Sequence, residues 1–118
     1  MMNPFTAYLS AEVERLKAEE VALASDNRRD EANLARIRRN IFEICNTVHG
    51  VFIQKSAPEA FCAAYIAKLD EFEAAWRKAQ VLAGANADGA KAAVEEIKLE
   101  ALASIRAKFI EAGEAAHD

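Results

Sequence analysis

The residue types best suited to chemistry are concentrated between positions 25 and 40, where "SDNRRDEANLARIRRN" holds five arginines in sixteen residues. A guanidinium group donates two parallel hydrogen bonds, which suits phosphate and carboxylate groups. On a helix of about 100° per residue whose apolar face is centred between Ile41 and Val48, four of these arginines lie on the outward side. The candidate residues for binding an anion or a partner are Arg28, Arg29, Arg36 and Arg39.

We call Arg28, Arg29, Arg36 and Arg39 the arginine stripe, and the chain as a whole is acidic rather than basic. The formal net charge is -4 at pH 7, so we expect no global attraction to nucleic acid. Proteins that bind single-stranded nucleic acid usually add aromatic side chains for stacking, and the stripe contains none. Two interpretations follow. The stripe is either a nucleic-acid or phosphoanion site, which is possible but not favoured, or a charged face that meets solvent, the acidic first helix or an acidic partner.

A second candidate set consists of aromatic residues spaced four, seven and four positions apart in one predicted helix. This spacing places their rings on a single helix face. The rings then form either part of the hydrophobic core, which aromatic residues commonly dominate, or the wall of a pocket for a small ligand between helices. The four residues are Phe61, Tyr65, Phe72 and Trp76.

Catalytic and metal-binding patterns are weak. Cys45 and His49 lie one helical turn apart, a spacing that could supply two metal ligands or a nucleophile and a base. The cysteines form no Cys-x-x-Cys pair, and the glycine-containing stretch "GANADG" lacks the spacing and the Lys-Ser/Thr ending of a phosphate-binding loop. We therefore expect no catalytic residues, no metal and no cofactor, and a protein that is not an enzyme.

The composition predicts the elements that carry these residues. Hydrophobic residues make up 53% of the chain, with only four Gly and two Pro among 118 residues. Alanine, the best helix former, is abundant, and alternating runs of β-branched residues are absent. These features predict an all-α fold, a small antiparallel up-down four-helix bundle formed by residues 1–118 as a single domain. The predicted helices span residues 4–25, 28–53, 57–83 and 89–112.

Three stretches carry signals for the start of a helix. Asn3 is suited to cap the first helix, and Pro4 fits its first turn. In "SAPE", Ser56 is the predicted N-cap of the third helix, with a glutamate three residues later as in a capping box. After the turn "GANADG", either Asn86 or Asp88 is expected to cap the fourth helix.

The boundary between the first two helices is less sharply marked, because neither Gly nor Pro interrupts it. Asn27 and Asp30 are spaced like a weak capping box, which favours a break near residues 25–27. The alternative is one long helix over residues 5–53, whose apolar face would need a second chain in a coiled-coil-like dimer.

The features together favour a non-catalytic module for protein–protein interaction or scaffolding, which binds a protein partner or forms a homo-oligomer. A cytoplasmic location is expected, because no secretory signal pattern or membrane-length apolar segment is evident. Two alternatives remain open. One is nucleic-acid or phosphoanion binding through the arginine stripe, and the other is a ligand carrier or small enzyme that uses the aromatic face.

Overall fold

The computed structural model describes residues 3–117, and the side chains of residues 3–113. Within these residues the chain forms helices and short connections, without a strand. The first and second helices form one antiparallel hairpin, the third and fourth form another, and the second helix packs against the fourth. The predicted all-α four-helix bundle is confirmed. The helices are α1 (Pro4–Ser25), α2 (Arg29–Lys55), α3 (Phe61–Ala85) and α4 (Gly89–His117).

Two of the predicted helix starts are confirmed. The side chain of Asn3 accepts a hydrogen bond from the backbone N–H of Phe5 at 2.7 Å, and Pro4 occupies the first turn. The Oδ1 atom of Asp88 accepts from the backbone N–H of Lys91 at 3.0 Å. Each cap satisfies a backbone donor that the helix itself leaves unpaired.

The alternative prediction of one long helix over residues 5–53 is wrong, and so is the predicted capping box at Asn27. The chain turns between α1 and α2, and Asn27 has a φ of 59°, in the left-handed region. Arg28 occupies the N-cap position of α2 and makes no side-chain capping bond. The backbone closes this turn itself, because the N–H of Arg28 donates to the carbonyl of Leu23 at 2.9 Å, as in a Schellman motif.

The predicted start of α3 at residue 57, with Ser56 as its N-cap, is also wrong. Helix α2 continues to Lys55, and Ser56 ends it by donating its N–H to the carbonyl of Phe52 at 2.9 Å. Pro58 disfavours a helical conformation in the residue before it. Residues 58–60 form a turn, and helix α3 begins at Phe61. It ends at residue 85 rather than 83, while α4 runs to residue 117 rather than 112.

The two hairpins repeat each other with an offset of 60 residues. The turn after α3 copies the turn after α1, with Ala87 at a φ of 55° and the N–H of Asp88 donating to the carbonyl of Ala83 at 2.8 Å. Buried positions recur at the same offset, as in Leu9 and Leu69. Other buried pairs with this offset are Phe5 and Tyr65, Ile41 and Ala101, Phe42 and Leu102, Cys45 and Ile105, and His49 and Phe109.

Four aromatic rings hold the hairpins together at the end opposite the two turns, and their geometry follows the same repeat. The centroid distance from Phe5 to Phe109 is 5.1 Å, and that of the equivalent pair, Tyr65 and His49, is 5.3 Å. The Phe5 and His49 centroids are 5.2 Å apart, and those of Tyr65 and Phe109 are 4.8 Å apart. The hairpins are therefore related by an approximate twofold axis through this aromatic cluster.

The turn at Ala87 provides a test of backbone strain. The left-handed conformation costs an alanine about 1–2 kcal/mol, whereas glycine adopts it freely but loses more entropy on folding. We expect Ala87→Gly to raise the free energy of unfolding by about 0.5–1 kcal/mol, measured by urea denaturation. At the equivalent position, Asn27→Ala should lower it, because asparagine tolerates this conformation better than alanine. A stabilising Asn27→Ala change would contradict this interpretation.

Candidate functional site

The aromatic cluster borders a pocket of about 520 Å³ at the end of the bundle where α1 and α3 begin. Phe5, Phe61 and Phe109 line its apolar walls, and His49 also faces it. Lys108 lies among the lining residues as well. Of the four aromatic residues predicted as core or pocket wall, Phe61 therefore contributes directly to a pocket.

His49 is the polar group within this aromatic environment. Its side chain is only 4% exposed, and its ring centroid lies 5.1 Å from that of Phe61. No hydrogen bond joins the His49 ring to any residue whose side chain the structure describes. Burial lowers the pKa of His49 below its ordinary value, so the imidazole is neutral at physiological pH. A neutral imidazole offers one donor and one acceptor.

Tyr65 lies next to His49 and is fully buried. Its hydroxyl donates to the backbone carbonyl of Cys45 at 2.9 Å, which links α3 to α2. Burial raises the pKa of the Cys45 thiol to about 12. Such a thiol is protonated at neutral pH, so the spacing of Cys45 and His49 does not produce an activated nucleophile. Among the described side chains, no three His, Cys, Asp or Glu residues are grouped to hold a metal ion.

The other two predicted aromatic residues, Phe72 and Trp76, lie farther along α3, away from the pocket. Their rings stack at 5.4 Å with an interplanar angle of 6°, and both residues are half-buried against the core. The ammonium group of Lys68 lies 5.5 Å from the Phe72 ring, and that of Lys98 lies 5.6 Å from the Trp76 ring. The predicted stripe is thus divided between the pocket and a partly exposed face.

The repeat identifies which residues share this face. In the α1/α4 groove, Glu12 and Ser104 line a common depression, and the Lys108 ammonium group lies 5.4 Å from the Tyr8 ring. The 60-residue offset maps Glu12 and Ser104 onto Phe72 and Ile44, and it maps Tyr8 and Lys108 onto Lys68 and Val48. From this equivalence we infer that Ile44, Val48 and Phe72 line the corresponding groove between α2 and α3. We call Ile44, Val48, Val51 and Phe72 the apolar α2/α3 face. Ile44 and Val51 are each 42% exposed.

Acidic side chains pair with two of the four arginines in the predicted stripe. Arg28 forms an ion pair with Glu31. Arg39 forms ion pairs with Glu20 of α1 and with Glu43, each at 3.2 Å. These pairs reduce the positive charge that the stripe presents to an anion.

The remaining two arginines of the stripe are exposed. Arg36 donates to the side-chain oxygen of Asn33, and Arg29 makes no ion pair with the described residues. The fifth arginine, Arg38, lies 3.6 Å from Glu100 of α4. Anion binding by the stripe stays a prediction, with Arg29 and Arg36 as the residues best placed for it.

Known proteins supply no assignment for these residues. Comparisons of the chain with models of protein families, with curated proteins and with solved structures find no match. Within the described residues, no helix combines the length and the apolar character needed to cross a bilayer. Sequence reasoning missed Phe5 and Phe109 as partners of His49 in the pocket, although the 60-residue spacing of the apolar pattern could have indicated them.

The buried histidine predicts a pH dependence of stability. The pKa of His49 is lower in the folded protein than its ordinary value of 6.5, so below that pH the unfolded chain binds the extra proton first. The free energy of unfolding should therefore fall as the pH drops below about 6.5, down to the folded-state pKa. We expect His49→Phe, which copies Phe109, to flatten this part of the profile in urea denaturation. An unchanged profile would contradict the assignment to His49.

The arginine stripe predicts weak, salt-sensitive nucleic-acid binding at most, because acidic residues pair with Arg28 and Arg39. We expect any binding of labelled single- or double-stranded oligonucleotides that fluorescence anisotropy detects to be confined to low salt. Any such binding should be lost in Arg29→Glu/Arg36→Glu. The control, Lys78→Glu/Lys91→Glu, makes the same charge change at exposed residues of the other hairpin. Tight binding at physiological salt would contradict this prediction.

Proposed function

We propose that the protein is a non-catalytic interaction module that associates with a second copy of itself through the apolar α2/α3 face. The observation that carries this proposal is the difference between two surfaces related by the internal repeat. Ile44, Val48 and Val51 occupy positions equivalent to Ser104, Lys108 and Glu111, and Phe72 is equivalent to Glu12. One surface is apolar where the other is polar or charged.

This difference does not arise from the needs of the fold. Both hairpins have the same turn and equivalent buried positions, yet α4 carries polar side chains where α2 carries isoleucine and valine. The backbone arrangement therefore tolerates polar residues at these positions. Large apolar side chains left partly exposed at positions where the other hairpin has polar ones are typical of an interface, because the apolar area they expose is unfavourable in water.

The charges favour a second copy as the partner. Residues 44–54 of α2 contain no Asp, Glu, Lys or Arg. When this segment pairs with its own copy about a twofold axis, no charged group of the segment loses its solvent. On α3, Lys68 and Glu71 near Phe72 pair with each other at 3.0 Å, so that border has no net charge. A strongly charged partner would find no complementary group on this face.

The two cysteines agree with a reducing compartment. Cys45 is buried in the core and Cys62 is exposed, and neither forms a disulfide. Disulfides are rare in cytosolic proteins, where thiols are kept reduced. A cytoplasmic location is part of the proposal and rests on this cysteine usage and on the sequence pattern.

The repeat supplies a matched test of self-association. Ile44→Ser/Val51→Glu copies the polar residues of the equivalent positions onto the apolar face, and Ser104→Glu makes the same net charge change on the polar face. In sedimentation velocity over a concentration series, we expect the wild type to form a dimer. The double variant should dimerise about 10-fold or more weakly, because two apolar contacts per copy are lost. The Ser104→Glu control should behave like the wild type.

Circular dichroism of each variant checks that the helices remain folded. A wild type that stays monomeric at its highest soluble concentration would overturn the proposal. Equal loss of association in the double variant and in Ser104→Glu would also overturn it, because the effect would then come from charge rather than from the face.

A further inference from the structure

We infer that the pocket beside the aromatic cluster binds a small, neutral, mostly apolar molecule that carries one hydrogen-bonding group. The volume of about 520 Å³ lies within the range of about 300–1,000 Å³ that is usual for small-molecule sites. Its walls include the rings of Phe5, Phe61 and Phe109, which offer flat apolar surfaces. This inference concerns a different part of the molecule from the apolar α2/α3 face and does not depend on self-association.

His49 is the feature that points to a ligand rather than to an unfilled gap. A polar side chain that opens into an otherwise apolar pocket is a point at which the hydrogen-bonding group of a ligand can bind. The ring is 4% exposed, faces the pocket and has no hydrogen-bond partner among the described side chains. A hydroxyl or carbonyl group on a bound molecule can supply that partner.

The repeat shows that packing does not require a histidine at this position. The equivalent residue in the other hairpin is Phe109, whose ring contacts Tyr65 as the His49 ring contacts Phe5, at 4.8 and 5.2 Å. A phenylalanine would fill the position without leaving a polar group unpaired. The histidine therefore adds a hydrogen-bonding capacity that the core does not use.

The charges around the pocket favour a neutral ligand. Lys108 and Glu111 both line it and lie 3.6 Å from each other, so their charges offset one another. The other titratable residues that line it are His49, which is neutral, and Cys62, which is exposed. A charged group placed deep among the aromatic walls would lose its solvent without gaining an ion pair.

A pair of probes that differ by one hydroxyl group tests the inference. Naphthol and naphthalene are titrated into the full-length protein, and binding is followed by site-resolved NMR chemical shifts. We expect one saturable site with shifts centred on Phe61, His49 and Phe109. Naphthol should bind about 2- to 10-fold more tightly than naphthalene, which corresponds to one hydrogen bond.

Two variants separate the hydrogen bond from the cavity. His49→Phe should remove the preference for naphthol while keeping naphthalene binding. Ala112→Phe, which copies the equivalent Phe52, should fill the pocket and abolish binding of both probes. Ile44→Ser/Val51→Glu should bind both probes as the wild type does. A failure of the self-association proposal can therefore be distinguished from a failure of this inference. The inference is overturned by no saturable binding, by equal affinity of the two probes in the wild type, or by unchanged binding in folded Ala112→Phe.

Discussion

The burial of four aromatic rings between two helical hairpins is the interaction on which the rest of the structure depends. Phe5, His49, Tyr65 and Phe109 come from all four helices and meet at the end opposite the turns. A single helical hairpin of this length leaves one face of its apolar stripe open to water, so neither hairpin can bury its apolar residues alone. The approximate twofold arrangement lets each hairpin cover the other.

The same duplication makes the differences between the halves informative. Most positions that are buried in both halves are apolar in both, as at Leu9 and Leu69, whereas the buried Glu95 is equivalent to the buried Ala35. At some equivalent positions the two halves differ in polarity, as with Ile44 and Ser104 or His49 and Phe109. The shared backbone arrangement does not require a particular residue type at these positions. Because each half acts as a reference for the other, these differences support the proposed binding at the apolar α2/α3 face and at the pocket.

Some arginine side chains of one helix form ion pairs with carboxylates of the neighbouring helix. Arg106 of α4 reaches Glu73 of α3 at 3.0 Å, as Arg39 of α2 reaches Glu20 of α1 at 3.2 Å. Arg77 and Arg106 hold the pKa of Glu73 below its usual range. Arginines that look available along one helix are thus engaged by carboxylates of the neighbouring helix. These pairs join the two helices of each hairpin, and they involve neither Arg29 nor Arg36.

The sequence by itself determined the four helices, their apolar faces and the caps at Asn3 and Asp88, because periodicity and capping depend on neighbours within a few residues. It did not determine where α3 begins, since Ser56 can end one helix as well as start the next. Nor could it show that His49 lies among the rings of Phe5, Phe61, Tyr65 and Phe109 and lines a pocket. These features depend on contacts between residues far apart in the chain, and only the packing of the two hairpins decides them.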